Sequence, residues 1–189
     1  MSNKTIILII LVIFVFIGGK YAWDMLFANS EIVSFDDSDW SQKNILGVKF
    51  ESPFELSETK TDIPNSQKEI IKGFNKFQYK AETITMLIKL IEFKDGAPND
   101  LNRIYEQVEL LRATRGVYAF NYEVKPIDNN SFTGRLVQGT CKMNGKEAEF
   151  SGECYKKDSK QIQIFCIYLN HKENREVRER IMKSINVTF

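Results

Sequence analysis

The stretch Cys141-Lys142-Met143-Asn144-Gly145-Lys146-Glu147-Ala148-Glu149-Phe150-Ser151-Gly152-Glu153-Cys154 decides the fold. Asn144-Gly145 reads as a hairpin turn, because both residues tolerate the positive φ that a two-residue loop demands. Beyond it, Ala148, Phe150, Gly152 and Cys154 alternate with Glu147, Glu149, Ser151 and Glu153, which is the period of a strand. A second turn at Lys157-Asp158-Ser159-Lys160 extends the hairpin into a meander of strands at 132–143, 146–157 and 160–169. Two tight turns set the register. Cys141 faces Ala148, Lys142 faces Glu147, and Cys166 faces Ser151 on the side of the sheet opposite Cys154. Cys141 and Cys154 share a face but lie about six positions apart along it, beyond the ~7 Å Cα separation a disulfide allows. The three cysteines are therefore expected to be free thiols, packing as small apolar residues, with Cys166 reactive if exposed.

Upstream of the meander, 117–125 reads as a strand, since Tyr118, Phe120, Tyr122 and Val124 alternate with Ala119, Asn121 and Glu123. Pro126 and the cluster Asp128-Asn129-Asn130-Ser131 are expected to end it. Leu101, Ile104, Tyr105, Val108 and Leu111 form one helical stripe, capped by Asn99 or Asp100 and stopped at Gly116. The segment 77–93 reads as two strands turning near Ala81-Glu82-Thr83. Its second arm is apolar on both faces, as in a central strand covered on each side. Residues 68–77 fit either a short helical stripe or a strand, with Gly73 weakening the helix. A first strand is expected at 45–51, ended by Pro53. A last helix spans 171–184, with Asn170 and Glu173 as a capping pair and Val177, Ile181, Met182 and Ile185 buried. Val187-Thr188-Phe189 reads as a short closing strand. The sum is an α+β domain: a mainly antiparallel sheet flanked by helices.

Ahead of this domain stands Ile6-Ile-Leu-Ile-Ile-Leu-Val-Ile-Phe-Val-Phe-Ile17, followed by Gly18-Gly19, with no polar side chain in the run. Residues 5–19 span roughly 22 Å as a helix against a hydrocarbon core of ~30 Å, a length that suits a signal peptide. The apolar character resumes at Tyr21-Ala22-Trp23 and Met25-Leu26-Phe27, and Lys20 can snorkel to the headgroups. Small residues for cleavage, Ala28 and Ser30, lie far downstream. These features favour an uncleaved anchor at 1–27, contacting the bilayer through 5–27, over a cleaved signal that would leave the domain secreted or periplasmic. The basic residue Lys4 and the terminal amine lean towards a cytoplasmic N-terminus with the domain outside. Residues 28–43, with Asp36-Asp37-Ser38-Asp39, read as an acidic polar tether, and 44–189 as a single globular domain.

The composition excludes several functions. With 26 basic and 25 acidic residues among 189, the chain has no electrostatic footprint for nucleic acid. Three cysteines without metal-binding spacing and the lone His171 argue against a metal centre or a cofactor. A Ser-His-acid or Cys-His site would need His171, which sits where a helix begins and reads as a surface residue. No phosphate-cradling glycine loop or nucleophile elbow is present. Asp37-Ser38-Asp39 has Gln42 where a calcium loop needs glycine. Glu147, Glu149 and Glu153 could in principle serve a hydrolase, but their regular alternation reads as an exposed strand face.

Leu46-Gly47-Val48-Lys49-Phe50-Glu51-Ser52-Pro53-Phe54 resembles the "G-x-x-F-x-x-P" entry strand of the PsbP/Mog1/DcrB-like superfamily. The element order fits too, down to the terminal helix that leads into Ile181-Met182-Lys183-Ser184-Ile185-Asn186-Val187-Thr188-Phe189. The resemblance covers 44–189 and implies an α/β/α sandwich. It also implies an accessory or adaptor subunit that binds other proteins without catalysing, and it carries over no functional residue. The expected function is thus a membrane-tethered, non-enzymatic interaction or accessory domain with a protein partner, facing the periplasm or cell exterior. The alternative is a carrier of a small apolar ligand on the aromatic strand face Tyr118, Phe120 and Tyr122, rings whose plainer role is to fill the core.

Overall fold

Asn144 and Gly145 turn the chain with φ of 50° and 85°, as the hairpin reading requires. The computed structural model describes residues 34–60, 63, 67–129 and 132–189, and residues 34–189 belong to one compact unit. The meander is β7 (Phe132–Met143), β8 (Lys146–Lys157) and β9 (Lys160–Leu169). Its register pairs Cys141 with Ala148, Lys142 with Glu147 and Ser151 with Cys166. All three cysteines are free and buried, Cys166 beneath one face of the sheet and Cys141 and Cys154 beneath the other.

The meander joins β3 (Ser57–Glu58), β4 (Ile71–Lys80), β5 (Ile84–Phe93) and β6 (Val117–Asn129). Together they form a seven-stranded antiparallel sheet of order β3-β4-β5-β9-β8-β7-β6. A second sheet, β1-β2-β10, holds β1 (Ser41–Ile45), β2 (Val48–Ser52) and β10 (Asn186–Val187). Two α-helices complete the described residues, α1 (Arg103–Arg112) and α2 (Lys172–Ser184). Among the described residues no helix is long and apolar enough to cross a membrane. The anchor expected at 1–27 and the first part of the tether, 28–33, lie outside them.

Seven strands at about 4.8 Å spacing make a face roughly 29 Å wide, while a helix is about 10–12 Å across. One helix cannot cover such a face, and here each face is covered over a different half. On one side α1 sets Ile104 and Val108, both 0% exposed, onto Val137, Cys141, Phe150 and Phe165 of β7–β9. The helix can sit this low because Gly152 has no side chain; a Cβ there would lie 2.6 Å from the Phe165 ring and 3.2 Å from Ile104. On the other side α2 and the small sheet cover β5 and β9. Val177, Ile181, Val48 and Phe50 pack onto Ile84, Met86, Ile88, Ile164 and Cys166.

Several local readings change. The first strand is a hairpin: Leu46 and Gly47 both have positive φ (55° and 82°), and Ile45 pairs with Val48. Gly47 is held there because Thr188 donates its N–H to the Gly47 carbonyl at 2.8 Å, and a Cβ at Gly47 would lie 2.2 Å from the Thr188 carbonyl oxygen. The closing strand expected at 187–189 is therefore real but shorter, pairing Asn186 and Val187 with Lys49 and Val48. The tether expected to run to 43 is folded onto the domain from Phe35 onward. Phe35 meets Phe54 at 5.9 Å between ring centroids. The Arg180 guanidinium lies 4.1 Å above Trp40 and donates to Asp37 at 2.7 Å and to Glu51 at 3.0 Å. Glu176, one turn before Arg180, pairs instead with Lys172 at 3.7 Å, and Lys183 reaches Glu179 at 3.4 Å.

The ambiguous segment 68–77 becomes strand from Ile71, with an irregularity at Gly73. β6 runs through Pro126 to Asn129 instead of stopping, because it is the edge of the sheet and a missing amide there costs no ladder bond. α1 starts later than its apolar stripe, although the Asp100 carboxylate does accept the Asn102 amide at 2.8 Å. His171 occupies the N-cap of α2 without a side-chain capping bond, and Asn170 instead accepts from Arg175.

Candidate functional site

The aromatic face proposed as a ligand or partner surface is divided. Ala119 takes positive φ (57°), and the pairing of β6 with β7 slips between Tyr118 and Asn121. The bulge leaves Tyr118 pointing to solvent, 52% exposed, while Phe120 and Tyr122 turn inward against Phe150, with ring centroids at 6.1 and 6.4 Å. Phe120 and Tyr122 therefore fill the core beneath α1, and the three rings do not form one surface.

The incomplete covering leaves two open quarters of the large sheet. The first lies beside α1, over β4 and β5, and is a groove of about 810 Å³. Its apolar lining comes from Ile71, Phe74 and Ile91 on the floor, with Tyr105 and Leu110 on the helix side. Leu110 stands on the rim at 61% exposure. Across the floor runs one polar row, since Lys76 pairs with Lys89 and Lys89 with Gln163 in adjacent strands. Directly opposed residues in an antiparallel pair lie about 4.5–5.5 Å apart at Cβ, so the two lysine stems start side by side, and the charge of Lys76 is felt at Lys89.

The Lys89 ammonium donates to the Gln107 side-chain oxygen at 2.8 Å. Burial in the groove wall, followed by the charge of Lys76, lowers its pKa to about 8, and Glu106 opposes the shift. The acids on this flank of α1 already have partners: Glu106 with Arg103 at 3.6 Å and Glu109 with Arg112 at 3.0 Å. Neither lysine is in an ion pair among the described residues.

Gln163 is 2% exposed. Its amide nitrogen donates to Gln161 at 2.8 Å, and Gln161 donates onward to the Asn99 side chain at 3.1 Å and the Asp100 carbonyl at 3.0 Å. This chain fixes which way the Gln163 amide points, because the oxygen of Gln161 can only accept. Gln163 is one of the residues that line the groove, and its side-chain oxygen is buried without a partner among the described residues. Buried acceptors in native proteins are nearly always satisfied.

The second open quarter is a hollow of about 470 Å³ over β6–β8, beside α2, lined by Glu123, Gln138, Thr140, Glu149, Tyr168 and Arg178. Its carboxylates are satisfied internally. Glu123 accepts from Lys125 and from Gln138, both at 2.6 Å. Glu149 accepts from Tyr168 at 2.8 Å and Arg175 at 3.0 Å. Arg178 donates to Ser151 at 3.2 Å. The strand face of Glu147, Glu149 and Glu153, expected to be exposed, is so only at Glu147. Glu153 bonds the Tyr155 hydroxyl, and burial raises its pKa. His171 lies apart from both quarters, and Asp37-Ser38-Asp39 forms a single 3-10 turn. Among the described residues no group of three or more metal-ligating side chains comes together.

The groove escaped sequence reading because β5 was taken as covered on both faces. The available signal was polar: Lys89, Gln161 and Gln163 stand among apolar residues on that side of β5 and β9, and Lys76 faces Lys89 from β4.

No protein-family model matches this sequence, and no curated protein matches it. Solved structures do. The cyanobacterial PsbP of Synechocystis is similar over 79% of this chain and 92% of its own, with a TM-score of 0.51 and 8% identity. The yeast Ran-binding protein Mog1p aligns over 78% of this chain and 95% of its own, at 11% identity and a TM-score of 0.41. LpqN of Mycobacterium tuberculosis, a protein involved in cell envelope biogenesis, aligns over 82% and 81%, at 11% identity and a TM-score of 0.41. The fold is thus similar to that of PsbP, a sheet-rich α+β architecture, in line with the fold that the entry-strand resemblance implied. At these identities the likeness concerns the fold alone.

Proposed function

We propose that this chain is a membrane-tethered accessory domain that works by binding a partner protein, with the α1 groove as its working surface. The single observation that carries the reading is the groove itself, an apolar concavity that the domain leaves open with Leu110 exposed on its rim. The uninterrupted apolar run 6–17 supports a tether, and Lys4 ahead of it supports a cytoplasmic N-terminus with the domain outside. The PsbP/Mog1/DcrB-like fold accords with an accessory role.

Crosslinking of the full-length protein in its native membrane, followed by pull-down, tests this. The partner should be captured by the intact chain, lost on deletion of 44–189, and lost or strongly reduced in Leu110→Asp. An unchanged set of co-purifying proteins after the deletion overturns the proposal. So does recovery of the chain from the cytosol with its first thirty residues intact. A second reading, a carrier of a small amphipathic molecule, is favoured by one specific observation: Gln163, a residue lining the same groove, keeps a buried oxygen without a partner among the described residues.

A further inference from the structure

The two lysines on the groove floor set the charge of what can lie there. Lys76 and Lys89 face each other across β4 and β5, a like-charge pair that is unfavourable until an anion comes between them. Glu106 offsets part of this repulsion at Lys89, but no carboxylate among the described residues forms an ion pair with either lysine, and Glu106 and Glu109 pair with arginines on their own helix. An ammonium carries three donors, and the one bond Lys89 makes is to Gln107. A carboxylate seated between the two lysines would accept from both.

The Gln163 oxygen sets a second requirement. It is an acceptor in the same cross-strand row as the lysines, so a ligand that satisfies it brings a donor close to its carboxylate. A simple fatty acid has none. An N-acyl amino acid has both groups, with an amide N–H one carbon away from the carboxylate. Its acyl chain would lie along Phe74, Ile91 and Leu110, the apolar part of the groove.

We infer that the α1 groove binds a small amphipathic carboxylate of the N-acyl amino acid class. Its carboxylate lies between Lys76 and Lys89, and its amide N–H donates to Gln163. The inference rests on the reading of this groove as a binding surface and names a small occupant for it.

The test is isothermal titration calorimetry on the full chain in lipid nanodiscs, with empty nanodiscs as the blank. The probes are N-hexanoylglycine and nonanoate, which match in chain length but differ in the amide, whose place two methylenes take in nonanoate. N-hexanoylglycine should bind saturably, and Lys76→Met and Lys89→Met should each weaken it about tenfold or more, as expected for hydrogen bonds to a charged group. Nonanoate should bind about fivefold more weakly than N-hexanoylglycine, and Gln163→Met should erase that difference by weakening only the latter. Leu110→Asp, at an exposed position that the fold tolerates, should weaken both probes. Glu123→Gln, in the hollow on the other face, should leave both unchanged.

Heat no greater than that of empty nanodiscs overturns the inference, as does wild-type affinity in the lysine variants. Equal binding of the two probes by the wild type removes the assignment to N-acyl amino acids. A partner crosslink that Leu110→Asp abolishes, alongside no heat from either probe, would leave the groove as a protein-binding surface and sink only the small ligand.

Discussion

The open quarter over β4 and β5 is floored by Phe74, Ile91 and two lysines without an ion pair among the described residues, whereas the one over β6–β8 is floored by glutamates, a glutamine and a threonine. Both arise from the same cause, a sheet too wide for its covering helices. They differ in how far their polar groups are satisfied from within. In the hollow, Glu123 and Glu149 each accept two bonds. In the groove, Lys76 has no ion pair and Gln163 keeps a bare oxygen among the described residues. A surface that satisfies itself needs only water, while one that leaves buried donors and acceptors idle is set up to receive another molecule.

The contrast should break most visibly at the wall that separates the groove from the core. Ile104→Ala removes a fully buried side chain from beneath α1 and should cost about 3 kcal/mol in chemical denaturation. The hollow lies under the other helix, so the bond from Arg175 to Glu149 should survive in the folded fraction. A loss well below 1 kcal/mol would mean that α1 does not hold the groove wall.

Lys89→Met should act in the opposite direction, raising stability at pH 7 by about 2 kcal/mol once partial exposure is allowed for. The folded-state pKa of Lys89 is lowered to about 8, against an unfolded value of about 10.4. The unfolded chain therefore holds more protons in that interval, and wild-type stability should rise as pH climbs from about 8 to 10.4. Lys89→Met should flatten the rise, which thermal melts across the alkaline range would show. Glu153, on the face that carries the hollow, behaves in the mirror sense. Burial raises its pKa, so its contribution is full below the unfolded carboxylate range and is lost as pH rises through the folded value. Glu153→Gln should flatten that acid-side slope and leave the alkaline one unchanged.

Glu149→Gln in the hollow should change stability by less than about 1 kcal/mol, because its ion pair with Arg175 is only partly buried and a glutamine oxygen can still accept from Tyr168. A larger loss would show that the hollow also depends on its charges. The smallest expected effect is none at all: the folded protein should resist thiol alkylation near neutral pH. Burial raises the thiol pKa to about 11 at Cys141 and about 12 at Cys154 and Cys166. Prompt labelling of Cys166 in the native state would contradict its place beneath α2.

The meander was legible to the residue because its turn chemistry is local. Asn144-Gly145 and Asp158-Ser159 specify two tight turns, and the alternation between them leaves one register. The first hairpin was not legible, since Leu46 is a poor candidate for positive φ and the turn is held by Thr188 from the far end of the chain. The aromatic strand face was misjudged for a related reason: a bulge at Ala119 changes the parity of Tyr118, and nothing in the alternation announces it. The tether boundary came out too late because Phe35 and Trp40 are fastened by Phe54 and Arg180, contacts that span the chain.

By itself, then, the order of residues determined the α+β class, the meander with its three unbridged thiols, and an apolar leader ahead of the domain, for those follow from period, turn type and composition. Only the tertiary structure decided which half of each sheet face is covered. That depends on where α1 and α2 come to rest, on the absent side chain of Gly152 and on the grip of Arg180. Strand periodicity reports that a face is apolar, but it cannot report whether a helix arrives to cover it.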